Sequence, residues 1–211
     1  IAATEYKTKT MVAMLKAVGA AKKTLVVLPE VDSCVIKSLA NIAGVERNKP
    51  AETFEPEDID FVMGVNLNGT IWTNQEAFNY FKANGVEGAI INYASDTGLS
   101  GMPNGAVYAA SKAAVLGWTR SIAMDWAKEC NVRCNCVNPA IKTPMYEQMR
   151  AMMTPEQLAA HDASMKELCI GGQMGDPIKD FLPVMAFAAS DSSRFMTGQT
   201  LSVDGGIMMV R

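Results

Sequence analysis

The sequence has little that would direct the chain to a membrane or to a nucleic acid. It contains no run of eighteen apolar residues and no basic-then-apolar leader, so we expect neither membrane insertion nor secretion. The formal net charge is only -3, which gives no electrostatic reason to expect a nucleic-acid partner. Hydrophobic residues make up 49% of the 211 residues and charged residues 19%, which predicts one globular domain spanning residues 1–211.

Histidine and paired cysteines are also scarce. The single histidine, His161, lies among polar residues, which predicts a solvated side chain rather than a general base. The cysteines are odd in number and lack the Cys-x-x-Cys spacing of zinc sites; they are Cys34, Cys130, Cys134, Cys136 and Cys169. Because Val132, Cys134 and Cys136 alternate like one face of a strand, we expect structural thiols and no metal. Unpaired thiols fit a reducing compartment, so we expect a cytoplasmic protein.

One stretch, residues 95–112, combines reactive side chains with the signals of a strand end and a helix start. The apolar run 88–94 predicts a buried strand, and residues 109–127 keep helical spacing. Tyr108 and Lys112 are four residues apart, which places them on one face of that helix. An ammonium about 4 Å from a phenol favours the phenolate by about 4 kcal/mol at an effective dielectric of about 20. The spacing therefore predicts a pKa for Tyr108 about three units below its usual value, although plain amphipathic helix edges show the same spacing.

Two further residues give this pair its context. Ser95 lies 13 residues before Tyr108 at the predicted end of a strand, and Asn66 interrupts an otherwise apolar helical face. With Lys112, these residues resemble the Asn, Ser, Tyr, Lys tetrad of the short-chain dehydrogenase/reductase family, in its single-domain branch. The likeness runs from about residue 38 to residue 206. The resemblance implies that Ser95 hydrogen-bonds the substrate oxygen and that Tyr108 is the general acid and base. It also implies that Lys112 lowers the pKa of Tyr108 and grips the nicotinamide ribose, while Asn66 holds a water that links Lys112 to solvent.

The reaction implied by the resemblance is reversible hydride transfer between NAD(H) or NADP(H) and a secondary alcohol or ketone. The alternation of strands and helices independently predicts a Rossmann-like, doubly wound parallel sheet. In such a sheet the reactive residues gather at the carboxyl ends of the strands.

Two turns resemble the cofactor-contacting turns of the family. At residues 41–44, Asn41 would tie neighbouring strands together, while Ala43 and Gly44 would leave room for the cofactor. Residues 138–145 resemble the Asn-Pro-Gly-x-Ile-x-Thr turn that contacts the nicotinamide, although the turn here is one residue shorter and has Ala140 in place of glycine. The predicted cofactor contacts are Asn41, Ala43, Gly44, Tyr108, Lys112, Pro139, Ile141 and Thr143.

The family's glycine-rich, phosphate-binding turn has no counterpart in this sequence. No Gly-x-x-x-Gly-x-Gly pattern precedes residue 44, so we expect the first strand and its glycine-rich turn to be missing, either deleted or not included. Glu30 or Asp32 could hold the adenosine ribose hydroxyls and so favour NAD, or could be ordinary loop carboxylates. A non-catalytic scaffold therefore stays an alternative, as does an epimerase or dehydratase that uses the same tyrosine and lysine.

Residues 145–170 match the part of the family that closes over the substrate. Their larger apolar side chains are Tyr146, Met149, Met152, Met153, Leu158 and Met165. Flexible thioethers suit an adaptable apolar pocket, and the same spacing also suits helices that pack on the core. The predicted substrate is a small apolar alcohol or ketone, contacted by Ser95, Tyr108, Tyr146 and Met149.

In the family, the two long helices that carry Asn66 and Tyr108 commonly form subunit contacts. The resemblance therefore implies a homodimer or homotetramer. In the first of these helices we expect nine apolar side chains to face the core, namely Phe61, Val62, Val65, Leu67, Ile71, Trp72, Ala77, Phe78 and Phe81.

Overall fold

The structure is a computed structural model that describes residues 44–209, with the backbone alone at Met145. The predictions for Asn41 and Ala43, for the acidic pair Glu30 and Asp32, and for Cys34 lie outside the described residues. The same holds for the missing glycine-rich turn.

Three parallel strands form the sheet of the described part. They are β1 (Gly88–Tyr93), β2 (Val132–Pro139) and β3 (Thr200–Val203), in the order β1-β2-β3. In the register, Tyr93 pairs with Val137 and Pro139 with Val203. Because all three strands run in one direction, their carboxyl ends meet at the same edge of the sheet, as the predicted fold requires.

The first long helical segment runs from residue 56 to residue 84. It consists of α1 (Pro56–Met63), a π-helical turn (Gly64–Asn68) and α2 (Gly69–Asn84). It begins with a proline in the first turn and ends at Gly85, whose φ of 62° is the left-handed conformation that glycine adopts easily.

The apolar residues of this segment do not all face the core. Val62, Ala77 and Phe78 are buried as predicted, whereas Phe61, Val65 and Trp72 are about 40% exposed, so the prediction that all nine side chains face the core is wrong for these last three. The π-helical turn changes the angular spacing of the side chains, which a uniform helical period does not anticipate.

The crossover from β1 to β2 is made by α3 (Thr97–Ser100) and the 25-residue helix α4 (Ala106–Cys130). The helix extends three residues beyond the predicted span 109–127 at each end. It stops at Asn131, which has a φ of 58°, and the Asn131 side chain donates a hydrogen bond of 2.7 Å to Glu87. The α4 helix therefore returns the chain to the start of β2, beside β1.

After β2 the chain forms α5 (Pro144–Ala151) and α6 (Pro155–Leu168), and then α7 (Leu182–Ala189) before β3. Thr143 and Thr154 cap α5 and α6, because each side chain accepts a backbone hydrogen bond from the first turn. Shorter helical turns complete the described part, at Ala51–Thr53, Ile170–Gly172, Pro177–Phe181 and Asp191–Ser193.

Packing covers the sheet on both faces. One cluster combines α2, α4 and the strands, and its buried members are Ala77, Phe78, Ile90, Ile122, Ala123, Val132 and Cys134. Another cluster joins Val137 with Ile141 and Phe181. In β2 both faces are buried, since Asn135 and Val137 are as inaccessible as Cys134 and Cys136. Such two-sided burial is typical of a central strand in a parallel sheet.

The described cysteines are free thiols in or near this core. Burial raises the pKa of Cys134 to about 12 and that of Cys136 to about 11, so both thiols stay protonated at neutral pH. Within residues 44–209 no helix has the length and apolarity to cross a membrane, and no three His, Cys, Asp or Glu side chains are grouped to hold a metal ion.

Candidate active site

Ser95 stands just beyond the carboxyl end of β1. The backbone still follows the sheet at Ala94, whose N–H donates to the carbonyl of Val137 at 3.0 Å. The Ser95 hydroxyl then accepts hydrogen bonds from the Thr97 hydroxyl at 2.9 Å and from the Thr97 backbone N–H at 3.3 Å. The first turn of α3 thus fixes where the Ser95 hydroxyl lies.

Tyr108 lies in the first turn of α4, and its phenol is hydrogen-bonded to the Ser95 side chain. Gly98 explains why α3 and α4 come close enough for this contact. A Cβ at Gly98 would lie 2.7 Å from the backbone nitrogen of Ala113 and 2.8 Å from the carbonyl carbon of Lys112. Only a residue without a side chain allows α3 to pack directly on the backbone of α4.

Lys112 is 2% exposed and lies one turn beyond Tyr108. Its ammonium donates a hydrogen bond of 3.0 Å to the backbone carbonyl of Tyr93 and lies 5.7 Å from the centroid of the Tyr108 ring. Burial lowers the pKa of Lys112 to about 8. The predicted pairing of the two side chains on one helix face is therefore confirmed.

The predicted acidification of Tyr108 is wrong for this structure. Burial raises the pKa of Tyr108 above its usual value, and the hydrogen bond from Ser95 offsets only part of that rise. The physical reason is geometric, since the Lys112 ammonium lies over the ring and is hydrogen-bonded to Tyr93 instead of pairing with the phenol oxygen.

Asn66 is fully buried in the π-helical turn. Its side-chain amide donates to the carbonyl of Val45 and to the Ser111 hydroxyl, each at 2.9 Å, and its oxygen accepts from the N–H of Val45 at 2.8 Å. These bonds tie the segment that follows Gly44 to α4. A Cβ at Gly44 would lie 3.1 Å from the Lys112 ammonium, so Gly44 lies directly beside α4. The water-holding role of Asn66 stays a prediction.

The turn after β2 holds the remaining predicted cofactor contacts. Pro139 is the last residue of β2, and Ile141 is buried against Val137 and Phe181. The Thr143 hydroxyl accepts from the backbone N–H of Tyr146 at 3.1 Å and so starts α5. The structure therefore places Pro139 at the same sheet edge as Ser95, while the Ile141 side chain belongs to the core.

Residues 145–170, here called the lid, contain two predicted substrate contacts, Tyr146 and Met149, whose surroundings differ. The Tyr146 hydroxyl is hydrogen-bonded to the His161 ring at 2.8 Å, and Arg150 donates to the same hydroxyl at 3.4 Å. Met149 is 42% exposed. His161 was expected to be a solvated side chain; it is partly buried and is hydrogen-bonded to Tyr146 of the other helix, so it is only partly solvated.

A second polar cluster at the strand ends was not anticipated. The Asp96 carboxyl accepts from the Asn138 amide at 3.0 Å and from the Ser202 hydroxyl at 3.2 Å, and it is hydrogen-bonded to Asp204. Burial, and the charge of Asp204, raise the pKa of Asp96. Asp96 follows Ser95 directly, which is the one signal in the sequence that could have drawn attention to it.

Comparison with known proteins places this geometry in context. A family model described as enoyl-(acyl carrier protein) reductase matches residues 29–208. The chain is 36% identical over 195 residues to rat (3R)-3-hydroxyacyl-CoA dehydrogenase, covering 90% of this chain and 71% of that protein. It is also 36% identical over 178 residues to the 3-oxoacyl-(acyl-carrier-protein) reductase FabG of Thermotoga maritima, covering 82% and 67%.

Solved structures give the same result for the fold. A gluconate 5-dehydrogenase from Burkholderia cenocepacia, in complex with NADP and tartrate, superposes with a TM-score of 0.71 at 28% identity, covering 95% of this chain and 70% of the other. A 4-hydroxyisoleucine dehydrogenase complexed with NADH gives a TM-score of 0.71 at 25% identity, covering 96% and 75%. Across similar solved chains, this chain spans between 63% and 75% of their length.

A parallel sheet that gathers a serine, a tyrosine and a lysine at one edge, with these relatives, defines the class of nicotinamide-dependent oxidoreductases that interconvert alcohols and ketones. Within that class, the chain belongs to the short-chain dehydrogenase/reductase family. The predicted family and the predicted Rossmann-like fold are therefore confirmed.

Proposed function

We propose that this chain catalyses reversible hydride transfer to a carbonyl carbon, with Tyr108 as the general acid and base. The observation that carries the proposal is the contact between the Ser95 hydroxyl and the Tyr108 phenol, with the Lys112 ammonium over the ring. Two hydroxyls that meet at the carboxyl edge of a parallel sheet can bind a single substrate oxygen between them.

The protein's own part in the reaction is proton transfer and orientation. Ser95 donates a hydrogen bond to the substrate oxygen and holds it against Tyr108. During reduction Tyr108 gives its phenolic proton to that oxygen, and during oxidation it takes the proton back. A bound nicotinamide supplies the hydride in one direction and accepts it in the other.

The raised pKa of Tyr108 bears on the direction of the reaction. A phenol with a pKa above its usual value is fully protonated at neutral pH, so it is ready to act as an acid. Carbonyl reduction consumes that proton, whereas alcohol oxidation needs the phenolate. A phenol of ordinary pKa is also protonated at neutral pH, so the proposal covers both directions of the reaction.

The residues around Lys112 suit a nicotinamide cofactor. The buried ammonium is a donor for ribose hydroxyls, and bare Gly44 beside it leaves space that a side chain would fill. Tyr108, Pro139 and Thr143 would add contacts at the same edge, as would Ile141 through its backbone. Between the two cofactors we favour NAD, on the sequence argument from Glu30 or Asp32.

The substrate and the assembly are proposed at a coarser level. Leu99 and Met149 are both about 40% exposed, which supports an apolar alcohol or ketone around the reacting carbon, and Tyr146 would border it. Exposed apolar residues on the two long helices, Val65 and Met124 among them, support a homodimer or homotetramer. A cytoplasmic location fits the free thiols.

The direct test is Tyr108→Phe, which removes only the phenolic hydroxyl. We expect turnover of a ketone panel with NADH or NADPH to fall at least ~100-fold, because the acid is lost, while cofactor fluorescence on binding persists. Near-normal turnover would refute the assignment. If the unmodified protein binds neither NADH nor NADPH, the non-catalytic scaffold is favoured, and binding without net oxidation of any alcohol would favour the epimerase or dehydratase.

A further inference from the structure

A polar cleft lies mostly within the part of the chain that was predicted to close over the substrate, and its lining includes none of Ser95, Tyr108 and Lys112. It has a volume of about 370 Å³ and runs between α5, α6 and the segment at Gly172. That size is within the range of small-molecule sites. Its lining is rich in charge rather than apolar, and the charged members are Lys142, Glu147, Arg150, Asp162 and Lys166.

The charges of this cleft are unevenly balanced. Arg150 is paired with Asp162 through both guanidinium nitrogens, which neutralises the two groups against each other. Lys142 donates to the side-chain oxygen of Gln173 at 2.7 Å, and an amide does not compensate its charge. Apart from the Arg150–Asp162 pair, the charged lining residues are Lys142, Lys166 and Glu147, so the cleft keeps a net positive charge.

The pairing of Arg150 with Asp162 also links the two helices that line the cleft. Arg150 and Tyr146 lie one turn apart on α5, while Asp162 and His161 lie on α6. Two side-chain contacts therefore join these helices next to the cleft. Lys142 and Lys166 then face the space between them from two different segments.

The cleft is connected by a short segment to the strand edge that carries the reacting groups. The β1–β2 register ends where Tyr93 pairs with Val137, and the Ala94 N–H still bonds the Val137 carbonyl, so Ser95 and Pro139 both stand at the carboxyl edge of these two adjacent strands. Lys142 follows Pro139 by three residues, which span at most about 11 Å. A small substrate together with the extended lysine side chain can cover this distance.

We propose that the cleft binds an oxyanion of the substrate, a carboxylate or a phosphate at the end remote from the reacting carbonyl, with Lys142 and Lys166 as its charged ligands. This inference rests on the proposed function and names the substrate class more closely. The carbonyl end of the substrate lies at Ser95 and Tyr108, and the anionic end lies in the cleft.

The test compares keto acids and keto phosphates with their uncharged counterparts. Straight-chain keto acids of increasing length, their methyl esters, and keto phosphates paired with the matching keto alcohols are each assayed with NADH and NADPH at low ionic strength. We expect kcat/KM of the unmodified protein to favour one anionic series over its uncharged partner by at least tenfold. In Lys166→Met, which keeps an apolar stem, that preference should fall about tenfold, whereas Lys179→Met, an exposed lysine outside the cleft, should keep it.

Each outcome separates the two proposals. Equal use of charged and uncharged ketones by the unmodified protein overturns the inference and leaves the proposed function standing, and so does an unchanged preference in Lys166→Met. If no ketone is reduced, the cleft is judged by binding alone. Inorganic phosphate should then raise the unfolding temperature more than potassium chloride of equal ionic strength, and it should do so less in Lys166→Met. An equal effect in both proteins overturns the inference.

Discussion

Tyr108 and Lys112 show how burial changes what a residue pair can do. Four residues of spacing on a helix bring the two side chains together. If only their charge interaction is considered and burial is ignored, a lowered pKa is predicted for the phenol. In the folded chain both groups lie away from water, which raises the pKa of Tyr108 and lowers that of Lys112 to about 8. Desolvation disfavours the charged form of each group, and it is the largest cause of both shifts.

Burial also shifts the pKa of Asp96, and this shift makes the stability of the protein depend on pH. Because burial and Asp204 raise its folded-state pKa, the folded protein binds a proton more tightly there than the unfolded chain does. The protonated Asp96 therefore stabilises the fold at low pH, and this contribution is lost as pH rises from the usual aspartate pKa of about 4 through the raised folded value.

The prediction concerns the substitution Asp96→Asn. An asparagine can still accept from Asn138 and Ser202 and can donate to Asp204 without carrying a charge. We expect the variant to gain stability over the unmodified protein as pH is raised from 4 towards 8, measured by urea unfolding at each pH. Asp125→Asn, at an exposed position of α4, is the control. Parallel stability profiles for Asp96→Asn and the unmodified protein would contradict a raised pKa of Asp96 in the folded protein.

The approach of α3 to α4 depends on one glycine. A Cβ at Gly98 would collide with the backbone of α4 at 2.7 Å, whereas a Cβ at Gly117, inside α4, would meet nothing within 4 Å. The two glycines therefore separate close packing from helix propensity. The first is needed for the contact between Ser95 and Tyr108, and the second is not.

We expect opposite signs for the two alanine substitutions. Gly98→Ala should destabilise the protein by about 1–3 kcal/mol through overpacking and should lower kcat/KM, because Ser95 moves away from Tyr108. Gly117→Ala should stabilise it by about 0.5–1 kcal/mol through helix propensity alone. Urea unfolding and ketone reduction measure both effects. A neutral Gly98→Ala would show that α3 can withdraw from α4 without harm.

The exposed apolar surface of the two long helices bears on the whole assembly. Val65, in the π-helical turn, is 38% exposed, and Met124, on α4, is 67% exposed. Burial of such groups between subunits removes apolar area from water and stabilises an oligomer by about 25 cal/mol per Å². In a single chain the same side chains stay in water and contribute no such stabilisation.

We therefore expect light scattering after gel filtration to give a multiple of the 22.7 kDa chain mass. Val65→Lys or Met124→Lys should reduce it towards one chain, since each puts a charge into the contact. Met152→Lys changes a methionine that is 80% exposed on the lid side, and it should leave the mass unchanged. A single-chain mass for the unmodified protein would contradict the proposed assembly.

Several features of this protein could be predicted from the sequence, and each of them depends on residues that are close together in the chain. The apolar run at 88–94 became β1, the helical spacing at 109–127 became the centre of α4, and Tyr108 and Lys112 share a face. The family could be recognised for a related reason, because its motifs are local strings of residues. Backbone periodicity and four-residue spacing need no knowledge of the rest of the fold.

The tertiary structure alone decided which distant groups meet. Asp96 and Asp204 are far apart in the chain, as are Tyr146 and His161 on separate helices, and no periodicity pairs them. The charged cleft and the raised pKa of Tyr108 also arise from packing between elements. The physical reason is that desolvation and hydrogen bonding depend on which atoms surround a group, and those atoms come from segments that only folding brings together.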